Sequence, residues 1–272
     1  MPSNNFSFIA AGSSITDTTA WPTWATWVKH RYNPDVFINA GIKGAGNELI
    51  LLKAIESAQQ HKNPFLLVQL TNVDKWDWYV EDPVLADMID QEKHPLVKLN
   101  KDDYCGFWST GSHFPKWKDY YKHHYFSLEY STYQTLQLIQ WFQLLCHQQK
   151  WKYYIMFDSP VLSVTESELN TGVLLASQCN STKLVNNTIS NVLFNLIDIK
   201  NIYLPGIIGY AVLHSYQWYN DKFKGHPGSL VHYNFTKDVV CPVLDQMVEP
   251  VQELASFKND AIVFQKLFNN TQ

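Results

Sequence analysis

Three short apolar runs, at 6–11, 36–40 and 65–70, begin about thirty residues apart, and this spacing constrains the fold more than any other feature of the chain. Each run has five or six residues, which suits a strand buried on both faces. Between the first two lies 19–32, where Trp21, Trp24, Trp27 and Val28 recur at three- and four-residue steps and predict an amphipathic helix. Between the second and third, Leu49, Ile50, Leu52, Ile55 and Ala58 predict another over 47–60. Strands that alternate with helices at this period imply βαβ units and a mostly parallel sheet.

The rhythm breaks at 76–129, a stretch rich in charge and proline that carries Trp108, His113, Trp117, Tyr120, Tyr121, His123 and His124. It reads as an insertion, in the manner of a lid, because loops of this length within compact domains are usually functional. The alternation then resumes. Tyr133, Leu136, Ile139, Phe142 and Cys146 predict a helix over 130–149, and strands are expected at 153–157 and 201–204. The segment 162–196 reads as helical or irregular. From Gly228 onward Leu230, Phe235, Val239 and Leu244 suggest a closing helix interrupted by Pro242. The expected architecture is a three-layer α/β/α domain spanning 1–272, with a mostly parallel, flavodoxin-like five-stranded sheet and one inserted segment.

Composition excludes several classes. A net charge of −4 argues against a partner held through phosphate contacts, so no nucleic acid is expected. No run approaches the ~18 apolar residues of a membrane span, and Met1 to Asn5 lacks the basic start of a secretory signal. A cytoplasmic protein is the expectation. Charged residues are only 17%, below the roughly 25% of typical soluble domains. The surface must therefore be rich in polar amides, hydroxyls and rings, which leaves room for a protein interface. Cys105, Cys146, Cys179 and Cys241 form no C-x-x-C pair and read as small buried hydrophobes. His113, His123 and His124 lack the i, i+4 spacing of a helical metal pair, and no metal or cofactor is expected. Gly41, Gly44 and Gly46 form no dinucleotide fingerprint, since Lys43 stands in the way.

Ligands of an open parallel sheet bind beyond the carboxyl ends of its strands. The residues just past each apolar run are therefore informative: Gly12-Ser13-Ser14-Ile15-Thr16-Asp17, then Gly41-Ile42-Lys43-Gly44, then Thr71-Asn72, then Asp158. Late in the chain come His226-Pro227 and, six residues beyond His226, His232. A hydroxyl, an imidazole, an amide and glycine backbone make up the inventory for acyl transfer: a nucleophile, its base and donors for an oxyanion.

These blocks resemble the SGNH (GDSL-like) hydrolase superfamily of esterases, lipases and carbohydrate deacetylases. The family's Gly-Asp-Ser-Leu/Ile-Thr block is matched by Gly12-Ser13-Ser14-Ile15-Thr16, with Ser13 in place of its Asp. Its Asn-x-Gly-x-x-Gly block is matched by Asn39-Ala40-Gly41-Ile42-Lys43-Gly44. Its third-block Asn is matched by Asn72, with Leu70 where the family has Gly. Its Asp-x-x-His-Pro block is matched at His226-Pro227, with Phe223 in the acid position. The resemblance implies Ser14 as nucleophile and His226 as base. It places the oxyanion donors at the backbone N–H groups of Ser14 and Gly44 and the Asn72 side chain. The later His of the family is matched by His232, which reads as structural. Asp221 is the nearest stand-in for the triad acid, and Asp158 a more remote one. The implied activity is that of a serine esterase or deacylase on small-molecule or carbohydrate esters. Two other readings remain: a catalytically lapsed binding or structural protein, favoured by Ser13 and Phe223, and an O-acyltransferase.

Overall fold

A computed structural model describes residues 6–18, 22–73, 75, 77–80, 106–109, 128–158, 188–203, 205–216 and 226–270. Five parallel strands form the main sheet: β1 (Ser7–Gly12), β2 (Val36–Gly41), β3 (Pro64–Leu70), β6 (Lys152–Phe157) and β7 (Ile202–Tyr203). Their order, β2-β1-β3-β6-β7, is the flavodoxin-like order, with the chain turning outward to opposite sides from β1. β1 and β3 are buried along their whole lengths, as double-faced burial requires. The register sets Gly12 beside both Gly41 and Gln69, so the three strands end level and their loops leave from one edge.

Alternate residues of each strand feed two separate cores. Ile9, Leu66, Val68 and Ile155 pack under α2 (Asn47–Gln59), α3 (Leu128–Gln149) and α4 (Thr188–Leu196). Phe8, Ala10, Leu67 and Met156 pack under α1 (Trp24–Tyr32), α5 (Gly206–Leu213), α6 (Ser229–Phe235), α7 (Cys241–Leu244) and α8 (Lys258–Asn270). Sheet and two helical layers make the three-layer architecture expected from the βαβ rhythm.

The strands fall within a residue or two of their expected bounds. α1 begins at Trp24, because Thr23 caps it: the Thr23 N–H donates to Thr26 Oγ1 (3.2 Å), and the Thr23 hydroxyl donates to the Thr16 carbonyl (3.1 Å). Residues 19–21, expected to open that helix, lie outside the described residues. So do most of the 76–129 insertion, the segment 159–187, Cys105 and Cys179. Within the insertion, β4 (Asp77–Val80) and β5 (Gly106–Ser109) pair antiparallel as a sheet of their own. Asp77 anchors it to the scaffold, its carboxylate accepting from the Gly46 and Leu49 N–H groups (2.7 and 2.9 Å) at the start of α2.

The closing helix is interrupted ahead of Pro242, as expected, and the interruption takes the form of a π-helical turn over Thr236–Val240 from which the chain continues as α7. Pro242 has no N–H, and its ring would crowd the carbonyl four residues back, a conflict the wider turn relieves. Among the described residues no helix is long and apolar enough to cross a membrane.

Candidate active site

The site is built where β1 ends. Past Gly12 the chain turns sharply, and the Ser13 carbonyl accepts from the N–H groups of Thr16 (3.0 Å) and Asp17 (3.3 Å), leaving Ser14 half-buried on the turn. A side chain at Gly12 would collide with the Thr16 hydroxyl, so this tight path needs glycine there. From the far end of the chain, 212 positions later, His226 brings its Nε2 to 2.6 Å from Ser14 Oγ. A hydroxyl this close to an imidazole nitrogen has the geometry of a nucleophile facing its base.

The neighbouring strands supply the surroundings. β2 and β3 flank β1 on opposite sides, so the Gly44 loop and the Thr71-Asn72 segment stand on either side of the Ser14 turn. Gly44 has φ 79°, a left-handed conformation that glycine adopts without strain. Its loop is tied to β1 by the Ile42 N–H, which donates to the Gly12 carbonyl (2.8 Å). Asn72 is exposed at the edge, with its carbonyl accepting from the Lys75 N–H (3.2 Å). Asp158, at the end of β6, is buried and accepts from the Thr71 hydroxyl (2.6 Å), with Lys75 Nζ at 3.8 Å. Asp221 lies outside the described residues.

Several residues with no sequence-assigned role fix this geometry. Asn39 accepts from the Gly41 N–H (2.9 Å) and donates to the Thr16 carbonyl (3.0 Å), fastening β2 to the Ser14 turn. Gln69, fully buried, accepts from both the Thr16 hydroxyl and the Trp24 indole N–H at 2.8 Å. Asn47 and the Thr71 backbone exchange two hydrogen bonds (2.8 and 3.2 Å), holding the segment before Asn72. A polar residue inside a doubly buried strand, such as Gln69 in 65–70, is the one sequence signal that marks such a position.

His232 is fully buried in α6, and its Nδ1 accepts from the Trp24 backbone N–H (3.2 Å). That bond assigns the ring proton to Nε2, which is buried without a hydrogen-bond partner. Burial, reinforced by the proximity of His226, pushes the His232 pKa down to about 3, so the ring is neutral at pH 7. Gln69 Nε2, Ser13 Oγ and Ser229 Oγ are likewise buried without a partner.

Cys146 and Cys241 are buried, and burial pushes their thiols up to about 12 and about 11, which leaves them inert at neutral pH. Among the described residues no cluster of His, Cys, Asp or Glu is arranged to hold a metal ion.

Fold and site together define a class: a doubly wound α/β protein with a serine–histidine pair at the carboxyl edge of its sheet. No protein-family model matches the chain, and no curated protein matches it.

Proposed function

We propose that the protein is a serine ester hydrolase of the SGNH type, acting on short acyl esters such as those of acylated carbohydrates. The observation that carries this reading is the 2.6 Å approach of Ser14 Oγ to His226 Nε2. Ser14 Oγ attacks the ester carbonyl carbon as His226 Nε2 takes its proton. The oxyanion is held by the backbone N–H groups of Ser14 and Gly44 and by the Asn72 amide. Each donor of this kind lowers the barrier by roughly 3 kcal/mol. The protonated His226 gives its proton to the departing alkoxide, which leaves as the alcohol. Water then attacks the acyl-serine with His226 again as base, releasing the carboxylic acid and restoring Ser14.

Hydrolysis of 4-nitrophenyl acetate tests the reading. Ser14→Ala and His226→Ala should each lower kcat by about 10⁴-fold or more, with a melting temperature within a few degrees of the parent. Undiminished turnover in Ser14→Ala would reject Ser14 as nucleophile. A parent protein with no turnover on acyl esters would favour the lapsed reading that Phe223 suggests.

A further inference from the structure

Ser14 and His226 come from opposite ends of the chain, yet the space beneath them is crossed by a continuous set of buried hydrogen bonds. Thr16, two residues past Ser14, donates its hydroxyl to Gln69 Oε1. The same oxygen accepts from the Trp24 indole. The Trp24 backbone N–H, at the first turn of α1 where no intrahelical partner exists, donates to His232 Nδ1. His232 in turn donates its backbone N–H to the Gly228 carbonyl (3.2 Å), two residues past His226. The Thr236 hydroxyl closes the far side, donating to the His232 carbonyl (2.8 Å) and reaching the Trp24 carbonyl (3.5 Å). The Leu230 N–H donates to Gln265 Oε1 (3.2 Å), which pins the start of α6 to α8.

We propose that Thr16, Gln69, Trp24 and His232 form a positioning brace that sets the distance between Ser14 and His226. The proposal rests on the reading of those two residues as nucleophile and base. None of the four touches the reacting atoms; each acts by fixing the turn or the helix that carries a partner. Gln69 is the centre, since one oxygen receives a donor from each side. His232 completes the brace through a single directed acceptor, which an asparagine amide oxygen can replace and a leucine cannot. A displacement of about 1 Å between reacting groups is enough to cost on the order of 100-fold in rate.

The test uses the full chain with ¹⁵N-labelled histidine, in the parent and in Thr16→Val, His232→Leu and His232→Asn. The His226 Nε2 resonance should carry the hydrogen-bonded shift in the parent and in His232→Asn. In Thr16→Val and His232→Leu it should move toward the value seen in Ser14→Ala. The rate of Ser14 modification by a fluorophosphonate should fall about 10- to 100-fold in Thr16→Val and His232→Leu and return to within about threefold in His232→Asn. Tyr32→Phe, which loses a hydroxyl bond to Asp245 far from the site, serves as the control for stability loss alone. An unchanged His226 resonance in folded Thr16→Val and His232→Leu would overturn the brace. Resonances that move as stated in a protein that no fluorophosphonate modifies would sustain the brace and overturn the esterase reading.

Discussion

The two faces of the sheet are built differently. Under α2, α3 and α4 the core is largely aliphatic, with Ile9, Leu49, Ile50, Leu66, Val68, Leu136, Ile139 and Ile155. Under α1 and α5–α8 it is dominated by rings: Phe8, Trp24, Trp27, Tyr32, Phe65, Tyr154, Tyr210, Tyr233 and Phe235. Aliphatic side chains contribute through non-directional burial, about 1.5–3 kcal/mol for each large side chain. Several of the ring face's side chains also aim a donor at a particular acceptor: Trp24 at Gln69, Tyr32 at Asp245 and Tyr210 at Asp238. The aliphatic face stabilises the sheet mainly by burial, with Asn47 of α2 also holding the Thr71 backbone, and the ring face sets where Trp24 and His232 stand. Trp24 and His232, which face the site from below, belong to that second side.

Two substitutions break this contrast if it is wrong. Leu66→Ala, on the aliphatic face, should cost about 2–5 kcal/mol in denaturant unfolding while turnover per folded molecule stays the same. Trp24→Phe, on the ring face, should cost less, about 1–3 kcal/mol, yet lower kcat by tens of fold because Gln69 loses a donor. Equal effects of both on kcat would remove the distinction.

A pH titration sharpens it. The His232 ring has an ordinary pKa of 6.5 when unfolded and about 3 when buried, so below pH 6.5 the unfolded chain binds a proton that the folded chain refuses. The contribution is fully present above pH 6.5 and is lost as the pH falls toward 3. Between about pH 6 and pH 4 the parent should lose about 1.4 kcal/mol per pH unit more than His232→Asn, as measured by urea unfolding. Parallel pH profiles would show that His232 is hydrated in the folded state.

The smallest expected effect is local to the aliphatic side. Asp77→Ala removes the carboxylate that caps α2 and should cost about 1 kcal/mol with no change in kcat.

Much of the framework is legible in the sequence alone. The apolar runs 6–11, 36–40, 65–70 and 153–157 all lie in the sheet, but the expected burial on both faces holds for β1 and β3 and not for β2, which is half-buried because it is an edge strand with a neighbour on one side only. The resemblance of short blocks pairs Ser14 with His226, and the two atoms meet. Local pattern does not reveal contacts between elements distant in the chain. Asp77 accepts from Gly46, 31 residues earlier, and nothing in the periodicity of either segment announces it. Gln69 reads as one polar residue in an apolar strand; its partners Thr16 and Trp24 become visible only when β1 lies beside β3. Pro242 signals the interruption but not its form, a π turn from which the chain continues as helix.

The most direct measurement of the central claim is covalent. The intact protein is treated with a fluorophosphonate, digested, and the adduct located by mass spectrometry, with Ser14→Ala and His226→Ala beside it. A single adduct on Ser14, absent from Ser14→Ala and slowed by about 10⁴-fold in His226→Ala, is the result expected of a serine activated by that imidazole. An unmodified protein, or an adduct that persists in Ser14→Ala, would contradict it.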